Sequence, residues 1–399
     1  MINFPIYLDN HSTTRVDPAV LEAMLPYFTH DYGNASSKSH EFGWKAEAAV
    51  NNSRKLVSRL LNCEPRDIIF TSGATESINL AIKGAAEANV SKGNHIITSV
   101  IEHEAVLDTC KNLERKGFRV TYVKCDENGI ISPDDIENAI TDKTILISIM
   151  YVNNEIGTIQ PINEIGKLCK EKKIIFHTDA TQAVGKIPID LSIHGINLLS
   201  FSAHKIYGPK GAGALYKTGK LPRVRITAQQ DGGAQEKSLR AGTLNVPGII
   251  GLGKACEISL ENLENDSKRI NELKNRLYNG IISAVKGVKL NGDPAKKISG
   301  NLNISIEGVD ADSLMMSVKE IAVSTGSACS SESVEPSHVL SAIGLDKKLM
   351  RSTIRFGIGR FNTEEEIDYV ISKISEKANY LLMQSPSKNN LKKGEYAET

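Results

Sequence analysis

The sequence predicts an α/β protein with a mostly parallel central sheet, followed by a smaller α+β domain. Three features of the 399-residue chain lead there. Between Asp67 and about Val246, short apolar runs alternate with stretches of helical spacing. The runs are continuously apolar, which suits strands covered by helices on both faces. Beyond Pro247 the alternation stops, and a long charged helical stretch leads into a mixed pattern.

Taken in order, Ile6-Tyr7-Leu8 reads as a short strand before the polar turn Asp9 to Thr14. Asp17-Pro18 opens a helix, with Asp as N-cap and Pro at the first helical position. Asp31 to Ser39 is a loop, and Glu41 to Leu61 is an amphipathic helix with Ala46, Val50, Val57 and Leu60 on its apolar side. The expected sheet strands are Ile68–Phe70, Ile96–Thr98, Val120–Val123, Ile145–Ser148, Ile174–Phe176 and Leu198–Leu199. After them come a long helix from Gly251 to about Ile282, strands at Val288–Leu290 and Leu302–Ile306, a helix from Ala311 to Lys319, and strands at Ile321–Val323 and Ile354–Phe356. The polar stretch 385–399 has few apolar anchors and is expected to fray.

Composition excludes several classes. A net charge of +1 gives no reason to expect nucleic acid or an anionic membrane as the main partner. No apolar run approaches the roughly 20 residues of a membrane span. The N-terminus has neither the basic start nor the apolar core of a secretory signal, and the scattered cysteines make a reducing cytoplasm the expected location. The 6 cysteines are scattered without a C-x-x-C pair, which signals neither a disulfide framework nor a zinc site.

The chemistry is concentrated in the stretch Ser200 to Gly211. There an apolar run ends in Ser202-Ala203-His204-Lys205. A lysine at the end of a buried strand loses solvation, which lowers its pKa and makes it a better Schiff-base nucleophile. Gly208, Gly211 and Gly213 after it mark a turn or a close backbone approach. Thr71-Ser72-Gly73-Ala74-Thr75-Glu76 is a strand-to-helix turn, and a helix N-terminus with hydroxyls nearby is an anion site. Asp179 ends another apolar strand and is placed to hold a cationic ring nitrogen. A carboxylate for a pyridinium nitrogen, a Schiff-base lysine and a phosphate cradle are together what pyridoxal phosphate requires.

His103, after the strand near Ile96, is placed to stack on a planar cofactor and move protons. Asn154 follows a further strand as a donor to a phenolate oxygen. Cys329 lies in a Gly/Ser-rich loop, a setting that suits a thiol that must reach a substrate and leave again. The other five cysteines sit in helix-like or strand-like contexts as small hydrophobes. Each of these residues also has a plainer reading. Lys205 can be a surface lysine at a strand end, Asp179 and the Gly73 turn ordinary helix caps, His103 a surface polar residue and Cys329 a passive thiol.

In combination, the motifs Ser72–Glu76, Glu102-His103, Val152–Gly157, Asp179–Gln182, Ser202–Gly211 and Gly326–Cys329 resemble the NifS/IscS-type cysteine desulfurases. These are pyridoxal-phosphate enzymes of the class V aminotransferase family. The resemblance runs from Tyr7 to about Tyr380 and implies a fold-type-I transferase and a homodimer. Implied domains are a large one over 16–255 and a small one of 1–15 with 256–384, which carries the cysteine loop. Lys205, His103 and Cys329 would be catalytic, with Lys205 as the Schiff-base lysine. Cofactor contacts would come from Ala74, Thr75, His103, Asn154, Asp179, Gln182, Ser202, His204 and Lys205, with Thr243 reaching over from the other subunit. Asn154 and Arg355 would bind substrate, Arg355 clamping its carboxylate. No resident metal is implied, with Cys329 available as a transient ligand to a nascent iron–sulfur cluster. Sulfur from L-cysteine would pass to Cys329 as a persulfide, leaving alanine, and then to a scaffold protein or another acceptor. A lyase or aminotransferase acting on another amino acid such as selenocysteine would leave Cys329 dispensable. A degenerate binding relative would have no need of Lys205.

The chain departs from the family pattern at His11-Ser12, where two alanines are usual, and at Lys237-Ser238, where Arg-Gly is usual. The aromatic-containing docking tail of many relatives is missing from Leu391 to Glu395.

Overall fold

The computed structural model describes residues 2–220, 224–325 and 337–384. A seven-stranded sheet lies at its centre, in the order Ile68–Thr71, Gly213–Lys217, Leu198–Ser202, Ile175–Asp179, Thr144–Ser148, His95–Ser99, Arg119–Val123. Gly213–Lys217 runs antiparallel to both of its neighbours, and the rest of the sheet is parallel. Strands parallel to one another end at the same edge, so the segments that follow them meet there. Helices cover both faces, which is why Ile68–Thr71, His95–Ser99 and Leu198–Ser202 are buried throughout.

Gly213–Lys217 was not expected as a strand. Its glycines signal a turn, and Gly211, at φ +77°, does make one. Gly213 instead serves a close approach, since a Cβ there would lie 2.6 Å from the Cα of Gly73.

The smaller sheet has four strands, in the order Ser324–Thr325, Thr353–Gly357, Asn301–Ile306, Val288–Leu290, all antiparallel. The strand expected at Ile321–Val323 spans Ile321–Ala322, and a separate strand, Ser324–Thr325, follows where loop was expected. Ile321–Ala322 pairs in parallel with Ile6–Tyr7, whereas Ser324–Thr325 pairs with Thr353–Gly357. Further backbone bonds run from Leu8 N to Ala322 O and from Gly357 N to Leu8 O. The N-terminal strand is thereby stitched to the C-terminal elements.

One helix, Val246–Ala284, runs through both halves. Its 39 residues make it roughly 58 Å long at the usual rise. It starts earlier than the glycine-rich sequence suggests. Asn245 caps it by accepting from Gly248 N, and Pro247 in the first turn favours helix there. Glycines within it mark contacts rather than a break, for a Cβ at Gly251 would meet Met24 Sδ at 2.5 Å, and one at Gly253 would meet Ser53. Ile249, Leu252 and Cys256 join the apolar core around the large sheet, while Leu273, Leu277 and Ile281 join the core around the small one. Among the described residues no helix is long and apolar enough to cross a membrane. Cys329 and the tail 385–399 lie outside the described residues.

Candidate active site

The carboxyl ends of the parallel strands open into a cavity of about 540 Å³. Lys205, Asp179, His103, Ala74, Thr75, Asn154, Gln182, Ser202, His204 and Arg355 all line it. Ten of the sequence-predicted site residues thus meet in one place. Thr243 does not; it is exposed and away from the cavity.

Lys205 ends a 3₁₀ turn directly after the strand Leu198–Ser202. Its Nζ donates to the carbonyls of His11 and Ser12, each at 2.6 Å. The N-terminal turn therefore holds the lysine. Asp179 is 6% exposed at its strand end, and its carboxylate accepts the backbone N–H of Thr181 at 2.9 Å. It caps a turn and not a helix.

The helix Ala74–Asn89 points its N-terminus into the cavity. Gly73 caps it without any side-chain bond, which leaves leading N–H groups for a ligand. Glu76 reaches back to the N–H of Ser72 at 2.7 Å and is itself paired with Arg240 at 2.9 Å. These bonds hold its carboxyl below the usual range despite burial. His204 is pushed down to about 4 by burial and by Lys205, Lys210 and Lys186 nearby, so it is neutral. Lys205 and Lys210 line the same cavity as cations.

His103 caps the helix Glu104–Arg115, its Nδ1 accepting Ala105 N–H at 3.1 Å. That bond fixes the ring and leaves the proton on Nε2 in the neutral form. Beneath it Glu102 is fully buried, accepting from Ser99 Oγ and Met150 N, and burial raises its carboxyl to about 8.

Arg355 is 2% exposed on the strand Thr353–Gly357. Nη1 donates to Asn154 O at 2.9 Å, and Nη2 to Asp9 Oδ1 at 2.9 Å and Ser12 Oγ at 2.7 Å. Its Nε has no partner among the described residues, and neither does Thr181 Oγ1 in the same cavity. Buried polar groups are rarely left so unless something else pairs with them.

With this geometry in view, the chain matches the aminotransferase class-V family model over residues 6–370. It belongs to that family. Among its relatives, cysteine desulfurase IscS of Rickettsia rickettsii (strain Iowa) is 52% identical over 385 residues, 96% of this chain and 94% of that protein. IscS of Rickettsia bellii (strain OSU 85-389) is 53% identical over 382 residues, 96% of this chain and 93% of that protein. A solved NifS-like protein superposes with a TM-score of 0.88 at 38% identity, covering 94% of this chain and 99% of its own. A structure described as SspA in complex with cysteine has a TM-score of 0.80 at 38% identity and covers 90% of this chain and all of its own. The chain is thus a class-V aminotransferase of the IscS cysteine desulfurase type, with the fold-type-I architecture.

Within this class-V fold, the structure adds residues that the sequence reading did not select. His11, Ser12, Thr181 and Lys210 also line the cavity. Only the departure from the family pattern marked His11-Ser12, and nothing in their local sequence points to a lysine contact. Of the five other cysteines, Cys63 lies just past a helix end and Cys125 just past a strand end, unlike the contexts expected for them. Burial nevertheless raises all five thiols, Cys63, Cys110 and Cys169 to about 12, as for small hydrophobes.

Proposed function

We propose that this chain is a cysteine desulfurase that uses pyridoxal phosphate and supplies sulfur for iron–sulfur cluster assembly or another acceptor. The observation that carries this is the convergence of Lys205, Asp179 and the uncapped helix at Gly73 on one cavity, facing an arginine with an unpaired Nε. These residues fit the cofactor. The helix N-terminus with Thr75, Ser202 and His204 would take its phosphate, Asp179 its ring nitrogen, and Gln182 or Asn154 its phenolic oxygen. Lys205 would bind it covalently. When bound, the cofactor supplies a ring that withdraws electrons from the substrate's α-carbon.

The chain's own groups do the rest. Arg355 holds the substrate carboxylate with Nε and the second N–H of Nη1, donors without a partner among the described residues. Asn154, whose carbonyl already takes Arg355 Nη1, lies beside that carboxylate. Lys205 and His103 Nε2 move protons between the α-carbon and the β-carbon side of the substrate. Cys329 thiolate attacks the substrate sulfur as the carbon–sulfur bond breaks. Cysteine and the Cys329 thiol become alanine and a Cys329 persulfide, with every atom conserved.

The division of the chain belongs to the same reading. A large domain, 16–255, holds the cofactor, and a small one, 1–15 with 256–384, presents the cysteine loop. The two apolar cores met by the long helix support it. Thr243, exposed and outside the cavity, is suited to complete the site of a second copy in a homodimer. A cytoplasmic location fits free cysteines such as Cys110 and Cys256.

The test is sulfide and alanine release from L-cysteine with a reductant, for the parent protein and Cys329→Ala. Both products from the parent and neither from the variant are expected. Full activity in the variant would make Cys329 a bystander and favour a lyase. Lys205→Ala is expected to lose the visible absorbance of the parent.

A further inference from the structure

The proposed reaction makes no use of Lys186, an amine beside the site. Lys186 is half-buried against a small second cavity of about 40 Å³, which it shares with Asp266. Asp266 is occupied by Arg360 at 2.7 Å. The Nζ of Lys186 instead donates to Gln182 Oε1 at 2.8 Å. The charges acting on it are Lys205 and Arg355, both positive.

Gln182 joins this lysine to the catalytic one. Its Nε2 donates to His11 O at 2.9 Å, the same carbonyl that accepts Lys205 Nζ. Its Oε1 is therefore an acceptor, taking both Lys186 and, at 3.0 Å, His11 Nδ1. That assigns the His11 proton to Nδ1 and leaves Nε2 without a partner among the described residues. Burial, Lys186 and Arg355 hold His11 well below its ordinary range, so it stays neutral and does not serve as a proton store.

We propose that Lys186 is a positioning residue for Lys205 and Gln182: it fixes the Gln182 amide with Nε2 toward the carbonyl that holds Lys205, and it sets a second ammonium against the Lys205 amine. This rests on Lys205 being the cofactor lysine, as proposed above.

Two ammonium groups close enough to repel each other lose their protons in two steps that belong to the pair. Desolvation first, then Lys205 and Arg355, bring Lys186 down to about 7. Repulsion is mutual, so Lys186 pushes Lys205 in the same direction. While Lys186 is charged, its repulsion favours the uncharged form of Lys205, which is the form a Schiff-base nucleophile needs. Among the described residues that line the cavity with Lys205 are the neutral rings of His11 and His204, the cations Lys210 and Arg355, and the carboxylates Asp179 and Glu76. Arg355 is already matched by Asp9 at 2.9 Å.

The experiment is a pH titration of the visible absorbance of the full-length protein loaded with pyridoxal phosphate. Parent, Lys186→Met and Lys186→Arg are compared. Removing the cation is expected to raise the midpoint by about 1 unit, while arginine, which keeps the charge, leaves it within roughly 0.3. A packing role alone moves no midpoint, so a Lys186→Met titration that overlays the parent overturns the proposal. Lys186→Gln serves if the methionine variant does not fold. A parent that takes up no pyridoxal phosphate would sink the function proposed above. The lysine pair is then decided by acylation of Lys205 at neutral pH, read by peptide mass spectrometry. There Lys186→Met is expected to label about tenfold more slowly than the parent, and equal rates refute the pair.

Discussion

Replacing Arg355 by lysine keeps the positive charge and removes the planar fork. In the parent, Nη1 and Nη2 are bound to Asn154 O, Asp9 Oδ1 and Ser12 Oγ, and Ser324 Oγ lies at 3.2 Å from Nη2. Nε and the second N–H of Nη1 are left for a substrate carboxylate. A lysine has one nitrogen and cannot serve Asn154 on one side, Asp9 and Ser12 on the other, and a substrate as well. The loss is one charge-assisted hydrogen bond to the substrate, about 1.5–3 kcal/mol. At about 1.4 kcal/mol per decade, the KM for L-cysteine is expected to rise roughly 10- to 150-fold. Because the carboxylate does not react, kcat is expected to fall less than about fivefold. Alanine formation over a range of cysteine concentrations measures both. A thermal melt run alongside reports the state of Asp9, whose partner the lysine retains as a charge. Arg355→Ala would strand that carboxylate and cost about 3–5 kcal/mol, which would mask the effect. An Arg355→Lys enzyme with an unchanged melt and a KM within twofold of the parent would refute the arginine as carboxylate clamp.

Three further outcomes follow from the same geometry. Glu102, fully buried and raised from 4.5 to about 8, keeps a proton that the unfolded chain releases, so stability falls as pH rises through that window. Glu102→Gln removes that slope, and its melting temperature is expected to drop less than the parent's between the two ends of the window. Gly213→Ala places a Cβ 2.6 Å from Gly73 Cα and 2.7 Å from Phe201 O, forcing the turn that cradles the anion to move. Overpacking of about 1–3 kcal/mol is expected, with pyridoxal phosphate affinity down about tenfold by equilibrium dialysis. Ser238 sits at φ +62°, beside Glu236, which is bidentate to Arg54. Ser238→Gly relieves that strain and is expected to add about 0.5–1 kcal/mol in urea denaturation, so a destabilised variant would refute the strain.

The elements most legible in the sequence were those whose signal is local. The helix Glu41–Leu61 has the bounds its apolar face predicts. Asp17-Pro18 opens a helix as a cap and a first-turn proline should. Lys205, Asp179 and the Gly73 turn were readable because each stands where a buried apolar run abruptly becomes polar. In a parallel sheet those points all fall at one edge, so an order in sequence becomes a place in space.

The misreadings came where one residue type serves two ends. Glycine gives both a turn and a close approach, so Gly213–Lys217 looked like loop and the start of Val246–Ala284 looked like a break. Whether a Cβ fits at Gly251 depends on Met24 and Pro209, which are remote in the chain. The change of partner after Ala322 likewise depends on remote residues, Ile6–Tyr7 for Ile321–Ala322 and Ile354–Arg355 for Ser324–Thr325.

By itself, then, the sequence determined the fold class and the identities of ten residues that meet in one cavity, because strand ends and helix caps are written in adjacent residues. Only the tertiary structure decided that the N-terminal turn grips Lys205, that Arg355 is held by Asp9 and Ser12, and that Lys186 stands behind Gln182. These contacts join residues as far apart as Asp9 and Arg355, and their strength depends on shared burial, a property that no stretch of sequence carries alone.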